Sequence, residues 1–182
     1  MNDSIFTGQI FPDKIFLKNF IRNIYFEFDV LFREKFASSL YEFCKLNQIE
    51  ALKLQCLDKQ YPIEKYIGQL EIKEVYLSVL NKQTIPSSTN QEDTYYYFIN
   101  NFTISSEENS FGIYANRDFD IGVLSYNYLN VEPFKELVMN IPIKNLLKEM
   151  NIDEHIGKKV TDQFKDKEYF FERHYWDPSK TY

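Results

Sequence analysis

The side chains best placed to do chemistry in this sequence are carboxylates. Asp118 and Asp120 stand two residues apart beside Arg117, so on a strand they share one face. Two carboxyls on one face meet the first requirement of general acid and base catalysis, provided one of them is desolvated enough to hold its proton near neutral pH. In a short hairpin connection both stay wet, and the same pair is then a charged surface. The histidines are His155 and His174. Asp153-Glu154-His155 offers oxygen and nitrogen ligands, yet two of the three side chains diverge on any helix. Glu172-Arg173-His174-Tyr175-Trp176-Asp177 is denser. It would serve a small cofactor-independent hydrolase or isomerase if it lined a pocket, but it reads first as part of an amphipathic tail.

Other chemistries lack their parts. The five glycines, Gly8, Gly68, Gly112, Gly122 and Gly157, are too scattered for a P-loop or a dinucleotide fingerprint, which need the backbone to curl several N–H groups around one phosphate. No serine sits in a G-x-S-x-G elbow, and neither Cys44 nor Cys56 has a neighbouring histidine to lower its pKa. The spacing of the two cysteines, twelve positions apart, matches no redox pair or zinc knuckle. We therefore expect no cofactor, no metal and no catalytic residue, with both thiols buried and free.

Charge points to a partner. Lys and Arg against Asp and Glu number 8 to 8 over residues 1–60, 4 to 9 over 61–130 and 9 to 10 over 131–182, so the middle holds five of the six excess negative charges. They gather at Glu92, Asp93, Glu107, Glu108, Asp118 and Asp120. Nucleic acid is a poor match for such a surface, because neutralising phosphates requires Lys and Arg. A basic protein is a good one, since complementary fields speed encounter. No basic region followed by an apolar stretch opens the chain, and Lys18, Arg22, Glu27, Asp29 and Arg33 interrupt the most apolar stretch, Ile15 to Phe36. The expectation is a cytoplasmic protein with no signal peptide and no membrane span.

The elements that must position these residues follow from periodicity. Phe16, Phe20 and Ile24 recur every four residues with Leu17 and Ile21 beside them, and Phe32, Phe36, Leu40 and Phe43 continue the stripe. This predicts one or two helices between 12 and 46, although Phe26, Phe28 and Val30 also alternate as a strand would. Leu52, Leu54 and Cys56 alternate with Lys53 and Gln55, predicting a half-buried strand. A second alternation through Leu70 and Ile72 shifts phase at Val75, Leu77 and Val79, which implies a bulge or a change of element. Lys82 to Asp93 reads as a polar loop, Thr94 to Ile104 as a strand, and Ser105 to Asn109 as its closing turn. Ser110–Ala115 and Phe119–Tyr126, joined by Asn116-Arg117-Asp118, predict a hairpin that completes an antiparallel meander. Pro133 would open a C-terminal helix through Phe134, Leu137 and Val138.

With 44% hydrophobic residues in a chain of 182, a core is affordable without disulfides. The 17 Phe and 14 Tyr against three Ala mean that this core is built of large rings, and each buried tyrosine then needs a hydrogen-bond partner. The expected fold is a single α+β domain, in which an antiparallel sheet of four to six strands packs against N-terminal and C-terminal helices. Residues 1–152 form its core, and residues 153–182 form an aromatic tail docked on it through Phe170, Phe171 and Trp176.

The run Ser110-Phe-Gly-Ile-Tyr-Ala-Asn-Arg-Asp-Phe-Asp-Ile-Gly-Val-Leu-Ser, set in an acidic, aromatic-rich α+β chain, resembles the immunity proteins that bacteria carry beside secreted antibacterial toxins. The resemblance implies a protein without a catalytic site that occludes a cognate toxin. The expected contact surface is an acidic rim of Glu107, Glu108, Asp118 and Asp120, with exposed Tyr114 or Tyr126 as an aromatic anchor. The expected assembly is a monomer or weak dimer.

Overall fold

A strand that is apolar on both faces has to be covered on both, and two neighbouring strands impose that demand here. The computed structural model describes residues 5–7, 15–58, 64–81, 84–85, 93–94, 99–118 and 120–138. Its elements in chain order are β1 (Arg22–Glu27), α1 (Glu34–Leu46), β2 (Ala51–Cys56), β3 (Glu64–Gly68), α2 (Ile72–Asn81), β4 (Thr84–Ile85), β5 (Asp93–Thr94), β6 (Asn101–Ser106), β7 (Phe111–Asn116) and β8 (Ile121–Tyr126). Six strands make one antiparallel sheet in the order β1-β8-β7-β6-β2-β3, and β4 and β5 pair apart from it. Every residue of β7 and β8 is buried.

The larger core lies on one face. Phe26 of β1, Phe36 and Phe43 of α1 and Phe134 beyond β8 interlock, with Phe134 ring centroids 5.5, 5.5 and 5.1 Å from the other three. Tilted and edge-on contacts of this kind are the favoured geometry of aromatic pairs. Tyr76 of α2 is fully buried in the same layer, and its hydroxyl donates to the Leu31 carbonyl at 2.9 Å. That bond meets the demand that burial places on a tyrosine.

An N-terminal strap covers the other face. Phe6 bridges Phe16 in antiparallel fashion, Thr7 N–H donates to the Ile15 carbonyl and Leu17 N–H to that of Ile5, each at 2.7 Å. Ile5, Phe6, Ile15 and Phe16 pack there on Tyr114, Ile121 and Val123. Glycine permits this approach. A Cβ on Gly112 would stand 2.6 Å from Ile5 Cδ1 and 2.8 Å from Phe16 Cε1, while on the opposite face one on Gly122 would stand 2.6 Å from Leu31 Cδ1.

The α+β class, the half-buried β2 and the β6–β7–β8 meander agree with the sequence reading. Several boundaries differ. The helical stripe from Phe16 to Ile24 is no helix: Phe16 forms an isolated bridge with Phe6, residues 17–18 bend, and β1 begins at Arg22. Pairing along β8 overrides the four-residue spacing, because it gives Ile24, Tyr25 and Phe26 a six-residue ladder suited to β-branched and aromatic side chains. Leu17 and Ile21, central to that stripe, lie exposed. The alternation through Leu70 and Ile72 is not a strand: β3 ends at Gly68 and a 3-10 turn at Gln69–Glu71 leads into α2, so the change of element comes before the phase shift rather than at it. Residues 84–85 and 93–94, expected within a loop and at a strand start, pair with each other. Among the described residues the strand expected over Thr94 to Ile104 stands as β6 from Asn101 and runs through Ser106, so the turn starts two residues later than read. At Pro133 stands a 3-10 turn, Glu132–Phe134, followed by turn and bend through 138, so the helix expected through Leu137 and Val138 is not formed there; residues from 139 on, with the tail from 153, lie outside the described residues.

The glycine approach is testable at β8. Gly122→Val should lower the urea midpoint by an overpacking cost of about 1–3 kcal/mol. Leu31→Ala alone should cost about 2–5 kcal/mol. Because Leu31 occupies the space that valine needs, the double variant should lose less than the sum of the two. Strictly additive losses would show that Leu31 does not limit this position.

Candidate functional site

Successive hairpin turns lie at opposite ends of a meander, and this divides the expected acidic rim. Ser105 pairs with Gly112 near the β6–β7 turn, and Asn116 pairs with Ile121 near the β7–β8 turn. The six residues of β7 separate them, about 17 Å at 3.4 Å per residue. Glu107 and Glu108 are exposed at one end, while Asp118 and Asp120 are exposed at the other. The four carboxylates therefore form two sites rather than one.

Both expected anchors are corrected. Tyr114 and Tyr126 have no exposed surface. They lie on opposite faces, Tyr114 under the strap and Tyr126 in the larger core. The reason is the double cover of β7 and β8, which leaves neither strand a solvent face. Tyr114 is instead part of a polar line through the sheet. Its hydroxyl donates to Asn101 Oδ1 at 2.7 Å, and Asn116 Nδ2 donates to the same oxygen at 2.7 Å. Asn101 in turn donates from its Nδ2 to Asp58 Oδ1 at 3.1 Å. Asp58 Oδ2 also accepts the backbone N–H groups of Asn100 and Asn101, at 2.6 and 3.1 Å.

This line ends beside the β7–β8 turn, where Arg117 is committed to the fold. Its backbone N–H donates to the Asn100 carbonyl at 2.8 Å, its Nε donates to the Ile99 carbonyl at 3.0 Å, and its guanidinium lies 4.9 Å from the Phe28 ring centroid. Asp120 completes the turn with φ at 49°, in the left-handed region that aspartate tolerates better than most residues. The Phe28 N–H is shared between the Asp120 carbonyl at 3.1 Å and its Oδ1 at 3.2 Å. Partial burial raises the Asp120 carboxyl above its usual range, and repulsion from Asp29 and Glu27 adds to this, while the Phe28 N–H and Arg117 oppose it. Of the sequence-read carboxylates, Asp120 is thus bound into the fold, whereas Asp118, Glu107 and Glu108 point outward as surface charge.

Both thiols are free and buried. Burial pushes Cys44 up to about 12 and Cys56 up to about 11, so neither carries appreciable thiolate at neutral pH. Among the described residues no three His, Cys, Asp or Glu side chains come together as a metal site. His155, His174 and the carboxylates around them lie outside the described residues, as does Glu92.

The sequence reading missed Tyr128. It is 88% exposed, with φ at 54°. The available signal was the pair of asparagines at 127 and 130 that bracket it, since asparagine favours tight turns. No family model, curated protein or solved structure matches the chain.

The raised Asp120 carboxyl sets a pH dependence. Below the ordinary carboxylate range, both the folded and the unfolded chain hold this proton. As pH rises through the raised folded value, the folded state must ionise a group whose surroundings resist the charge, and that stability is lost. Asp120→Asn keeps an oxygen for the Phe28 N–H and suits the left-handed backbone. It should raise Tm at pH 7, with the gain shrinking toward zero below about pH 3.5. A lower Tm at pH 7 would mean that the negative charge itself supports the turn.

Proposed function

We propose that this chain is a non-catalytic binding protein that neutralises a basic partner protein by occluding it, with immunity toward a secreted antibacterial toxin as the concrete form. One observation carries the reading: a meander buried on both faces presents exposed carboxylates only at its turns. A rigid sheet holds those charges in fixed positions, so little conformational freedom is lost on association. The net charge of −6, nearly all of its excess in this middle segment, favours a partner rich in Lys and Arg. Fields of this kind raise association rates by about 10 to 1000-fold at low salt. A binder that must act before its target does damage gains most from fast encounter. The buried thiols are consistent with a role that uses no covalent chemistry.

The test is the product of the gene adjacent to the one encoding this chain. Co-expression with this chain should restore growth to cells that the product poisons. The purified pair should form a complex whose association slows steeply between about 0.05 and 0.5 M salt, as steering charges are screened. An adjacent product that is neither bound nor neutralised sinks the reading. A complex indifferent to salt would leave binding but remove its electrostatic basis.

A further inference from the structure

In a protein with a filled core, large apolar side chains left in water mark a surface by where they gather. Among the described residues, the large hydrophobic side chains that stand exposed are Leu17, Ile21, Leu46, Tyr66, Leu70 and Tyr128. All but Tyr66 lie at one end of the sheet. The register aligns Arg22, Tyr126 and Phe111, so Ile21 just before β1 and Tyr128 just after β8 share the end where the β6–β7 turn lies. Ile21 N–H donates to Asn127 Oδ1 at 2.7 Å, and the Lys18 ammonium donates to the Asn109 carbonyl at 2.8 Å. These bonds tie the Leu17–Ile21 segment to the loops carrying Tyr128 and Glu107-Glu108. Leu46 ends α1 at the same place, where Asn47 Nδ2 donates to the Asn130 carbonyl at 2.9 Å and Asn130 N–H donates to Asn47 Oδ1 at 2.8 Å.

Tyr128 is the most exposed of the six, at 88%. Its backbone is left-handed, a conformation that bulky residues resist. The loop thus holds a tyrosine out into water where glycine or asparagine would sit more easily. An exposed, rigid aromatic ring with a polar tip is the usual anchor of a protein interface.

We propose that this end of the sheet is the docking surface for the basic partner, with Tyr128 as its anchor, Leu17 and Ile21 as its apolar floor, and Glu107 and Glu108 as its charged border. The inference rests on the binding reading above and adds the place and the contact chemistry. Net charge selects the occupant, because the exposed Lys18 and Arg22 beside Leu17 and Ile21 offset Glu107 and Glu108 locally. A second copy of the chain would bring a net charge of −6 against a chain of the same sign. A partner carrying Lys or Arg around an apolar pocket meets both of its features.

The experiment measures binding of the adjacent gene's product to four forms of the full chain, across a salt series and with Tm recorded for each. Tyr128→Gly, which relieves the left-handed backbone, should weaken binding about tenfold or more without lowering Tm. Glu107→Lys with Glu108→Lys should slow association and flatten its salt dependence. Tyr66→Ser, which removes the exposed ring outside this end, should bind as the unaltered chain does. Undiminished binding by a folded Tyr128→Gly overturns the docking surface while leaving the binding reading in place. Failure of the unaltered chain to bind sinks both. A dimer of the chain alone, dissolved by Tyr128→Gly, would assign the surface to a second copy and overturn the proposal as well.

Discussion

The rest of the structure depends on one constraint, the burial of β7 and β8 on both faces. A two-sided strand has no solvent side on which to place polar residues, so its ends and its covers carry everything else. Here the covers are unlike. Helices and the Phe28–Phe32 turn close one face, and a short strap of residues 5–7 and 15–17 closes the other. Each approaches over a glycine, Gly122 beneath Leu31 and Gly112 beneath Ile5 and Phe16. Neither glycine serves a turn. Both are places where a side chain would hold a cover off the sheet, and loss of a cover would expose a row of rings to water.

Polar groups survive inside such a sheet only when connected, since a buried polar atom left alone costs more than its bond returns. Asp58, Asn101, Tyr114 and Asn116 meet this condition by sharing acceptors across neighbouring strands. The line does structural work at its end. By fixing Asn100 and Asn101 it also fixes the carbonyls of residues 99 and 100, on which Arg117 hangs. The β7–β8 turn is therefore held by its own backbone, by an arginine docked on Phe28 and by Asp120.

Legibility in the sequence followed the range of the forces involved. The β7–β8 hairpin could be read because two β-prone runs flank a short polar connection, and β2 because one of its faces is polar. The stripe from Phe16 to Ile24 misled because its partners, Gly112 and the β8 edge, lie about a hundred residues away. Local spacing carries no trace of them. Tyr114 and Tyr126 read as exposed for the same reason, since alternation reports one buried face, whereas the strap of residues 5–7 and 15–17 covers Tyr114 and the larger core covers Tyr126 on the other side. The split of the acidic rim is different. That two consecutive hairpin turns face opposite ways follows from strand connectivity alone, and Glu107 could have been separated from Asp118 without coordinates.

The two ends of the sheet also differ in what they leave undone. At the β7–β8 end, Arg117 and Asp120 are engaged with Ile99 and with the Phe28 N–H, so removing the Arg117 side chain or the Asp120 acceptor oxygen disturbs the fold before it disturbs a surface. At the β6–β7 end, backbone and side-chain amides hold the loops together, through Asn47 with Asn130, Asn127 with Ile21, and Lys18 with Asn109. The bulky groups there, Tyr128 and Leu17, are 88% and 59% exposed and add little to that scaffold. Selection for stability alone has no reason to keep a tyrosine on a left-handed backbone in water, because glycine would relieve the strain and apolar area in water is unfavourable.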